Sequence, residues 1–245
     1  MRNAASRGHR AGAARSRPLT RRAGGASIGA TMIAFPFRNL VAAVALAVVS
    51  GTLAQEPHEF AEMRRLLADA IEINVNRARE IAGGQAIDPR VMAAMRKVPR
   101  HEFAPPELRL YAYLDRPLPV GPDATISQPS LVAVMTDLLR ISHGQKVLEV
   151  GTGGGYHTAI LAEMTPEVIS VEYHAEVARA AKRTLEQLGY GTVQVHVADG
   201  YFGWRPGAPY DAVLVRMAIP DVPPELVAQL KPGGRLIAPV GPADS

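Results

Sequence analysis

The chain has 245 residues, 47% of them hydrophobic and 20% charged, the balance of a globular protein with a real core. It has no cysteine, which excludes disulfides, thiolate nucleophiles and cysteine-based metal sites. The formal charge of +4 misleads: residues 1–55 hold eight Arg and no acidic residue, so the remainder, with 19 basic and 23 acidic residues, carries −4 and offers no broad basic surface for a nucleic acid.

Residues 1–54 read as a leader. Leu40–Val49 is an apolar run of ten residues. A bilayer span needs roughly 20, whereas a signal-peptide core is about this long. Arg38 precedes the run, and Thr52, Leu53 and Ala54 give a T-x-A cleavage site. Met32 would make a conventional start. The expectation is a signal peptide and a periplasmic or secreted protein, without stable membrane insertion once the leader is removed. An uncleaved anchor, an Arg-rich transit peptide and a cytoplasmic location are the alternatives.

Residues 55–140 read as a region of helices and loops. His58–Ile81 is predicted helical, with an apolar stripe of Phe60, Met63, Leu66, Leu67, Ala70 and Ile71 that ends at Asn74. Asp88 before Pro89 is a helix start, N-cap followed by proline at N1, for a short helix through Met95. "KVPRHEFAPPELR" and "PLPVGPDATISQPS" read as proline-rich loops, with no alternating sheet. Gln128 or Ser130 then opens a helix whose apolar positions are 131, 134, 135, 138 and 139.

From residue 141 to 245 strands alternate with helices. "KVLEV", "EVISVEY", "VQVHVAD", "YDAVLVRM" and "RLIAPV" are predicted strands; Tyr156–Met164, Ala175–Leu188 and "PPELVAQL" are the helices between them, with Gly189 closing the second. Such alternation predicts an α/β fold with a Rossmann-like, doubly wound parallel sheet, right-handed crossovers, and a ligand at the carboxyl ends of the strands.

The glycine turn after "KVLEV" narrows the ligand. A dinucleotide fingerprint, G-x-G-x-x-G, would start on Gly151 and Gly153, but its third glycine falls on Tyr156. No lysine is present for a P-loop. The spacing is instead acid-x-G-x-G-x-G: Glu149, Gly151, Gly153, Gly155. An acid two residues before the first glycine repels a pyrophosphate and suits a cationic ligand, such as the sulfonium and α-amino group of S-adenosylmethionine. Glu172 ends the second strand, where a carboxylate accepts from both ribose hydroxyls. Asp199 and Gly200 follow the third strand, placed to meet an adenine amino group. Each acid alone is more often a solvated or capping residue; three at successive strand ends beside the glycines point to a methyl-donor site.

"VPRHEF", "PLPVGPDATISQPSLVAVMTDLL", "KVLEVGTGGGYHTAILAEM", "ADGYFGW", "YDAVLV" and "PPELVAQLKPGGRLIAPVG", in that order, resemble the protein-L-isoaspartate O-methyltransferase family. The glycine motif is shared by every methyltransferase of this fold; "TISQP" with "VPRHEF" is specific to the family. The resemblance implies a methyltransferase sheet with an N-terminal helical cap. It also implies S-adenosyl-L-methionine as co-substrate without a metal, and transfer to the α-carboxylate of L-isoaspartyl residues in damaged proteins and peptides. Ser127 becomes the active-site hydroxyl, with Thr125, Ile126 and Gln128 at the junction of donor and acceptor. Glu149, Gly151, Thr152, Gly153, Glu172, Asp199 and Gly200 fall on the donor positions. A monomer acting without nucleic acid is expected. Alone, "TIS" before proline reads as an ST-turn or helix cap.

Methyl transfer from a sulfonium to a carboxylate ionised at neutral pH needs alignment and no general base, which agrees with the lack of a Ser/His/Asp triad or His-rich metal motif. The seven His read as surface or loop residues, and His157 as solvent-facing more readily than donor-facing. Trp204 reads as packing under the adenine-side loop, and Arg64–Arg65 as a solvated helix face. The chain departs from the family pattern at three places: Arg216 and Met217 stand where small residues are usual, close to the expected acceptor site; "ADG" replaces "GDG"; and the sequence stops at "PVGPADS", before the antiparallel strands that normally complete the sheet. The alternative function is accordingly a donor-binding or moonlighting protein of the same fold with impaired turnover.

Overall fold

The structure, a computed structural model, describes residues 56–121 and 124–241; the leader expected over 1–54 lies outside them. Strands β3 (Val147–Val150), β4 (Val168–Glu172), β5 (Gln194–Val197), β6 (Tyr210–Val215) and β7 (Leu230–Ile237) form one sheet in the order β5-β4-β3-β6-β7. Every neighbouring pair is parallel. The chain winds outward from β3 in one direction through β4 and β5, then crosses back to β6 and β7. The switch point therefore lies between β3 and β6, where an open α/β sheet leaves a crevice beyond the strand ends.

Central strands β3, β4 and β6 are almost wholly buried while β5 and β7 are not, as expected for a parallel sheet covered on both faces. Strand alternation divides the core. Val147, Val168, Ala212 and Leu214 point into a large cluster with the N-terminal region, and Leu148, Val150, Ile169, Val171, Val213 and Val215 into a smaller one on the other face. The large cluster contains Phe60, Ile71, Met92 and Phe103 together with Tyr156 and Ile160, so one core runs across residue 140. Among the described residues no helix is long and apolar enough to cross a membrane.

Four helices fall where the sequence puts them: α1 (His58–Ile81), α2 (Pro89–Lys97), α4 (Tyr156–Met164) and α5 (Ala175–Gln187), the last followed by Gly189 at φ 87°. Asp88 caps α2 by accepting from the Arg90 N–H at 2.8 Å. Burial faces are less well anticipated. In α1, Leu66, Ala70 and Asn74 are exposed, and Ala68 and Val75 pack inward instead. Arg64, expected in solvent, is mostly buried, pairs with Glu56 and donates to the Arg96 carbonyl at 2.7 Å. In α3 (Pro129–Leu139) the buried set is Pro129, Val132, Ala133, Met135, Thr136 and Leu139, while Leu131 and Leu138 are exposed. Nearly every turn of α3 is apolar, so its periodicity does not single out a face. The short helix α6 covers only Pro224–Val227.

The proline-rich segments are more ordered than loops. Arg100–Phe103 and Pro106–Tyr111 are 3₁₀ turns. β1 (Leu118–Gly121) and β2 (Ala124–Ile126) form an antiparallel pair, with Leu118 opposite Ile126 and Pro119 opposite Thr125, where no sheet is expected from the sequence. Arg100, 1% exposed, fastens the segment that runs from the second 3₁₀ turn to the end of β2. Its guanidinium donates to the carbonyls of Ala112, of Arg116 at 3.1 Å and of Ser127 at 3.1 Å. Its Nε has no partner among the described residues. Asp115 completes the brace. It accepts from the Ser130 N–H at 2.8 Å and from the Gln128 amide at 3.3 Å, so Gln128 stands at the N-cap position of α3 as expected while the capping hydrogen bond comes from a distant carboxylate.

Two histidines are core residues, contrary to the surface reading. His101 stacks on Phe60 at 4.2 Å and its Nδ1 lies 2.7 Å from the Tyr113 hydroxyl. His157, 1% exposed, faces neither solvent nor the donor crevice but Thr136 on α3, with Nε2 2.9 Å from its Oγ1. That hydroxyl donates to the Val132 carbonyl, so His157 Nε2 carries the proton. Burial, with the Arg216 charge adding to it, pushes the His157 pKa down to about 3.

Replacing Arg100 with Ala leaves three carbonyls without their cation. We expect a loss of about 3 kcal/mol, read as a melting temperature lower by roughly 6–12 °C, with faster amide exchange at residues 124–128. For His157, the unfolded chain takes up a proton below about pH 6.5 and the folded protein does not until about pH 3. Stability present above pH 6.5 is therefore lost as pH falls through that window, by up to about 1.4 kcal/mol per pH unit. Denaturant titrations between pH 7 and pH 4 should show a shallower fall for His157→Gln than for the native chain.

Candidate active site

The glycine turn leaves β3 and enters α4. The Gly151 and Thr152 N–H groups both donate to the Val171 carbonyl, at 2.8 and 3.2 Å, which folds the turn over the end of β4. Gly151, Gly153 and Gly155 have φ of 91°, 54° and 92°, the left-handed region that penalises any Cβ. Gly155 also abuts α5, where an added Cβ would meet Ala181 and Leu185 at 3.4–3.5 Å.

Glu149 is the most enclosed charged group of the site. Its side chain points to the α4 face of the sheet and has no exposed surface. Oε2 accepts from the Thr158 hydroxyl of α4 at 2.5 Å and from the Ser170 hydroxyl of β4 at 2.7 Å. Thr152 Oγ1 lies 2.7 Å from Ser170 Oγ and donates to it, since the Ser170 proton is already directed to Glu149. Oε1 has no hydrogen bond among the described residues; its nearest cation is Arg216 Nε at 3.9 Å. Burial raises the Glu149 pKa, against the pull of Arg216 and the two hydroxyls.

Glu172 lies next to the turn. Its Oε2 accepts from the Gly153 N–H at 2.9 Å and Oε1 from the His174 N–H at 3.1 Å, which leaves each oxygen a free lone pair. Asp199 is exposed, and its Oδ1 accepts from the Tyr201 N–H at 2.9 Å, with Gly200 packed on Val150. Exposed rings of Tyr173 and Tyr201 flank these acids. Trp204 stacks on His196 at 4.0 Å below them.

The second half of the site comes from β2. An added Cβ on Gly154 would lie 3.5 Å from Ile126 Cγ1 and 3.8 Å from Val120 Cγ2, so the β1–β2 pair rests directly on the glycine turn. Ile126 is buried, Thr125 exposed, and Ser127 and Gln128 half-buried. The Ser127 hydroxyl has no hydrogen-bond partner among the described residues, while its carbonyl is held by Arg100.

Arg216 follows β6 and departs from its expected place. It lies on the glycine turn rather than on the acceptor side: Nε donates to the Gly151 carbonyl and the guanidinium covers Gly153. Met217 covers Gly151. Of the residues predicted for the site, Glu172 is hydrogen-bonded to Gly153, Ile126 next to Ser127 lies against Gly154, and Gly200 beside Asp199 packs on Val150, while Glu149 is wholly interior. Arg100, Asp115, Thr158 and Ser170 carry parts that sequence reasoning did not assign. Only Arg100 had a signal, its place within "VPRHEF".

The acid–glycine arrangement fits a cationic nucleoside. One buried carboxylate oxygen faces the turn without a hydrogen bond, and two acids at neighbouring strand ends retain acceptor capacity. Among the described residues no three His, Asp or Glu are grouped to hold a metal ion.

Comparison with known proteins agrees. The family model described as protein-L-isoaspartate(D-aspartate) O-methyltransferase matches residues 77–245. The protein-L-isoaspartate O-methyltransferase 2 of Syntrophobacter fumaroxidans is 48% identical over 78% of this chain and 77% of its own length. The protein-L-isoaspartate O-methyltransferase of Gloeobacter violaceus is 55% identical over 62% of this chain and 74% of its own. A solved protein-L-isoaspartate O-methyltransferase superposes with a TM-score of 0.61 at 32% identity, covering 72% of this chain; this chain spans about half, 55%, of that one. A structure titled as a putative Plasmodium falciparum member in complex with S-adenosyl-L-homocysteine gives a TM-score of 0.60 at 21% identity, over 73% of this chain and 84% of its own, and bears on the fold. On the sheet order, the glycine turn and these matches, the chain belongs to the protein-L-isoaspartate O-methyltransferase family.

Proposed function

We propose that the crevice between β3 and β6 carries out the family's reaction on this chain's own residues: S-adenosyl-L-methionine-dependent methylation of the α-carboxylate of L-isoaspartyl residues in damaged proteins. The observation that carries this is the packing of Ile126, beside Ser127, on a glycine turn to which Glu172 is hydrogen-bonded, with Glu149 buried below it and Asp199 following the neighbouring strand β5.

The donor supplies a methyl group on a sulfonium. Glu172 and Asp199 hold its nucleoside end through their free lone pairs. Glu149, behind the turn, gives the site negative potential without meeting solvent. Ser127 donates its hydroxyl to the acceptor carboxylate and fixes its direction. That carboxylate is ionised near neutral pH, so no residue need remove a proton. Alignment of the two reactants contributes up to ~7–11 kcal/mol. The net charge of −4 on residues 56–245 supports a polypeptide partner rather than a nucleic acid.

We also propose that the chain is exported, on the strength of the apolar run Leu40–Val49 and the T-x-A ending at Ala54. Cell fractionation should place a protein shortened by the 54-residue leader outside the cytoplasm; a full-length cytoplasmic product would overturn export.

Methyl transfer to an isoaspartyl peptide, with none to its aspartyl twin, tests the reaction. Ser127→Ala should lower kcat/KM by roughly ten- to a hundredfold, the loss of one hydrogen bond to a charged group, with S-adenosylhomocysteine affinity unchanged. Glu172→Gln should instead weaken S-adenosylhomocysteine by roughly tenfold in calorimetry. Equal transfer to both peptides would refute isoaspartyl specificity; donor binding with transfer to neither would favour a binding protein of this fold.

A further inference from the structure

The main chain around Arg216 is pinned on both sides. Its N–H donates to the Val150 carbonyl at 3.1 Å, which ties it to the end of β3. Three residues on, Ile219 bridges to Val240, donating to the Pro239 carbonyl and accepting from the Gly241 N–H, each at 3.1 Å. Movement here belongs to the side chain. That side chain is 9% exposed and lies across the turn. Nε donates to the Gly151 carbonyl and stands 3.9 Å from Glu149 Oε1, and an added Cβ on Gly153 would meet the guanidinium carbon at 3.1 Å. Met217 Cε is 2.5 Å from where a Gly151 Cβ would be. The bare backbone of the turn is therefore covered by this chain's own cation and thioether. Neither Nη group makes a hydrogen bond among the described residues, so Nε and the Coulombic attraction of Glu149 are the anchors.

The sheet order says which end of a donor meets this cover. Asp199 stands at β5 and Glu172 at β4, so a nucleoside held there directs its amino-acid end across β3 toward β6, where Arg216 is. An α-ammonium arriving there seeks the same two acceptors, the Gly151 carbonyl and the potential of Glu149. Given the proposed donor site, on which this rests, we propose that Arg216 is a tethered competitor for the amino-acid end of the methyl donor and thereby sets donor affinity. The donor enters when the guanidinium rotates off Gly151. Its apparent affinity is reduced by the fraction of molecules in which the guanidinium is already off. If that fraction is about one in ten, the reduction is about tenfold. An adenosine thioether without the amino-acid end does not contest the position and escapes the effect.

Calorimetry with two probes tests this on the native chain, Arg216→Thr and Arg216→Met: S-adenosylhomocysteine, and 5′-methylthioadenosine, which lacks the α-amino and carboxyl groups. Melting curves establish that each variant is folded; Arg216→Met keeps the apolar length without the Nε donor and serves if the threonine variant does not fold. The expected result is S-adenosylhomocysteine bound roughly tenfold tighter by the variants, with 5′-methylthioadenosine affinity unchanged. Unchanged S-adenosylhomocysteine affinity overturns the inference and leaves the donor-site reading intact. Weaker binding by the variants also overturns it and makes Arg216 a donor ligand. Tightening of both probes overturns the assignment to the amino-acid end. Failure of every form, native included, to bind either probe overturns the donor-site reading itself.

Discussion

The arrangement at the end of β3 depends on a carboxylate that water does not reach. An ion the size of Glu149 in a protein interior costs several kcal/mol unless its oxygens are occupied by donors and a counter-charge. Three neighbouring elements meet that need: α4 through Thr158, β4 through Ser170, and the turn itself through Thr152 behind Ser170. The register that sets Glu149 beside Ser170 is the same register that brings Glu172 level with the glycines. A shift of β4 by one residue would turn Ser170 and Glu172 to the other face of the sheet and leave both carboxylates without their partners. The polar centre of the site thus specifies how the two central strands align.

The region before residue 140 packs on the glycine turn rather than standing as a detached cap. Its core is continuous with that of the sheet, and its β1–β2 pair lies against Gly154. A Cβ on that glycine would meet Ile126 and Val120 at ordinary van der Waals distance, so the β1–β2 pair lies one side-chain contact from the turn. The β2 segment and Glu172 therefore share one feature, the Gly151–Gly155 bend, which in the proposed reaction would align the two reactants without a catalytic base.

Much of this was legible in the sequence where one physical cause dominates. Helix ends marked by Asp88–Pro89 and Gly189, and the first four strands of the parallel sheet, fall within a residue or two of their places; the fifth, expected over 235–240, runs instead from Leu230 to Ile237, where "KPGG" reads as a turn. The acids do stand at the ends of neighbouring strands, with Glu172 hydrogen-bonded to the glycine turn. What failed was whatever depends on a partner distant in sequence. The buried face of α3 is chosen by the helices and strands packed on it, since Leu131 and Leu138 are as apolar as Val132 and Leu139. His157 reads as polar until Thr136, 21 residues away, accepts a hydrogen bond from its Nε2. Glu149 reads as facing the ligand, yet an acid inside a central strand must also satisfy the face on which it lies. The β1–β2 pair is hidden by Pro119 and Gly121, residues that signal turns and that here stand within a short ladder.

The grip of Arg100 on Ala112, Arg116 and Ser127 has a consequence for the conditions under which this part of the chain keeps its form. One partner is a guanidinium, charged at any pH a cell meets, and the others are peptide carbonyls that never titrate. Burial shields the contact from dissolved ions. Acidity or brine that unsettles carboxylate pairs elsewhere leaves this fastening untouched. A lysine, with one compact ammonium in place of a planar fork, could not reach three such divergent oxygens.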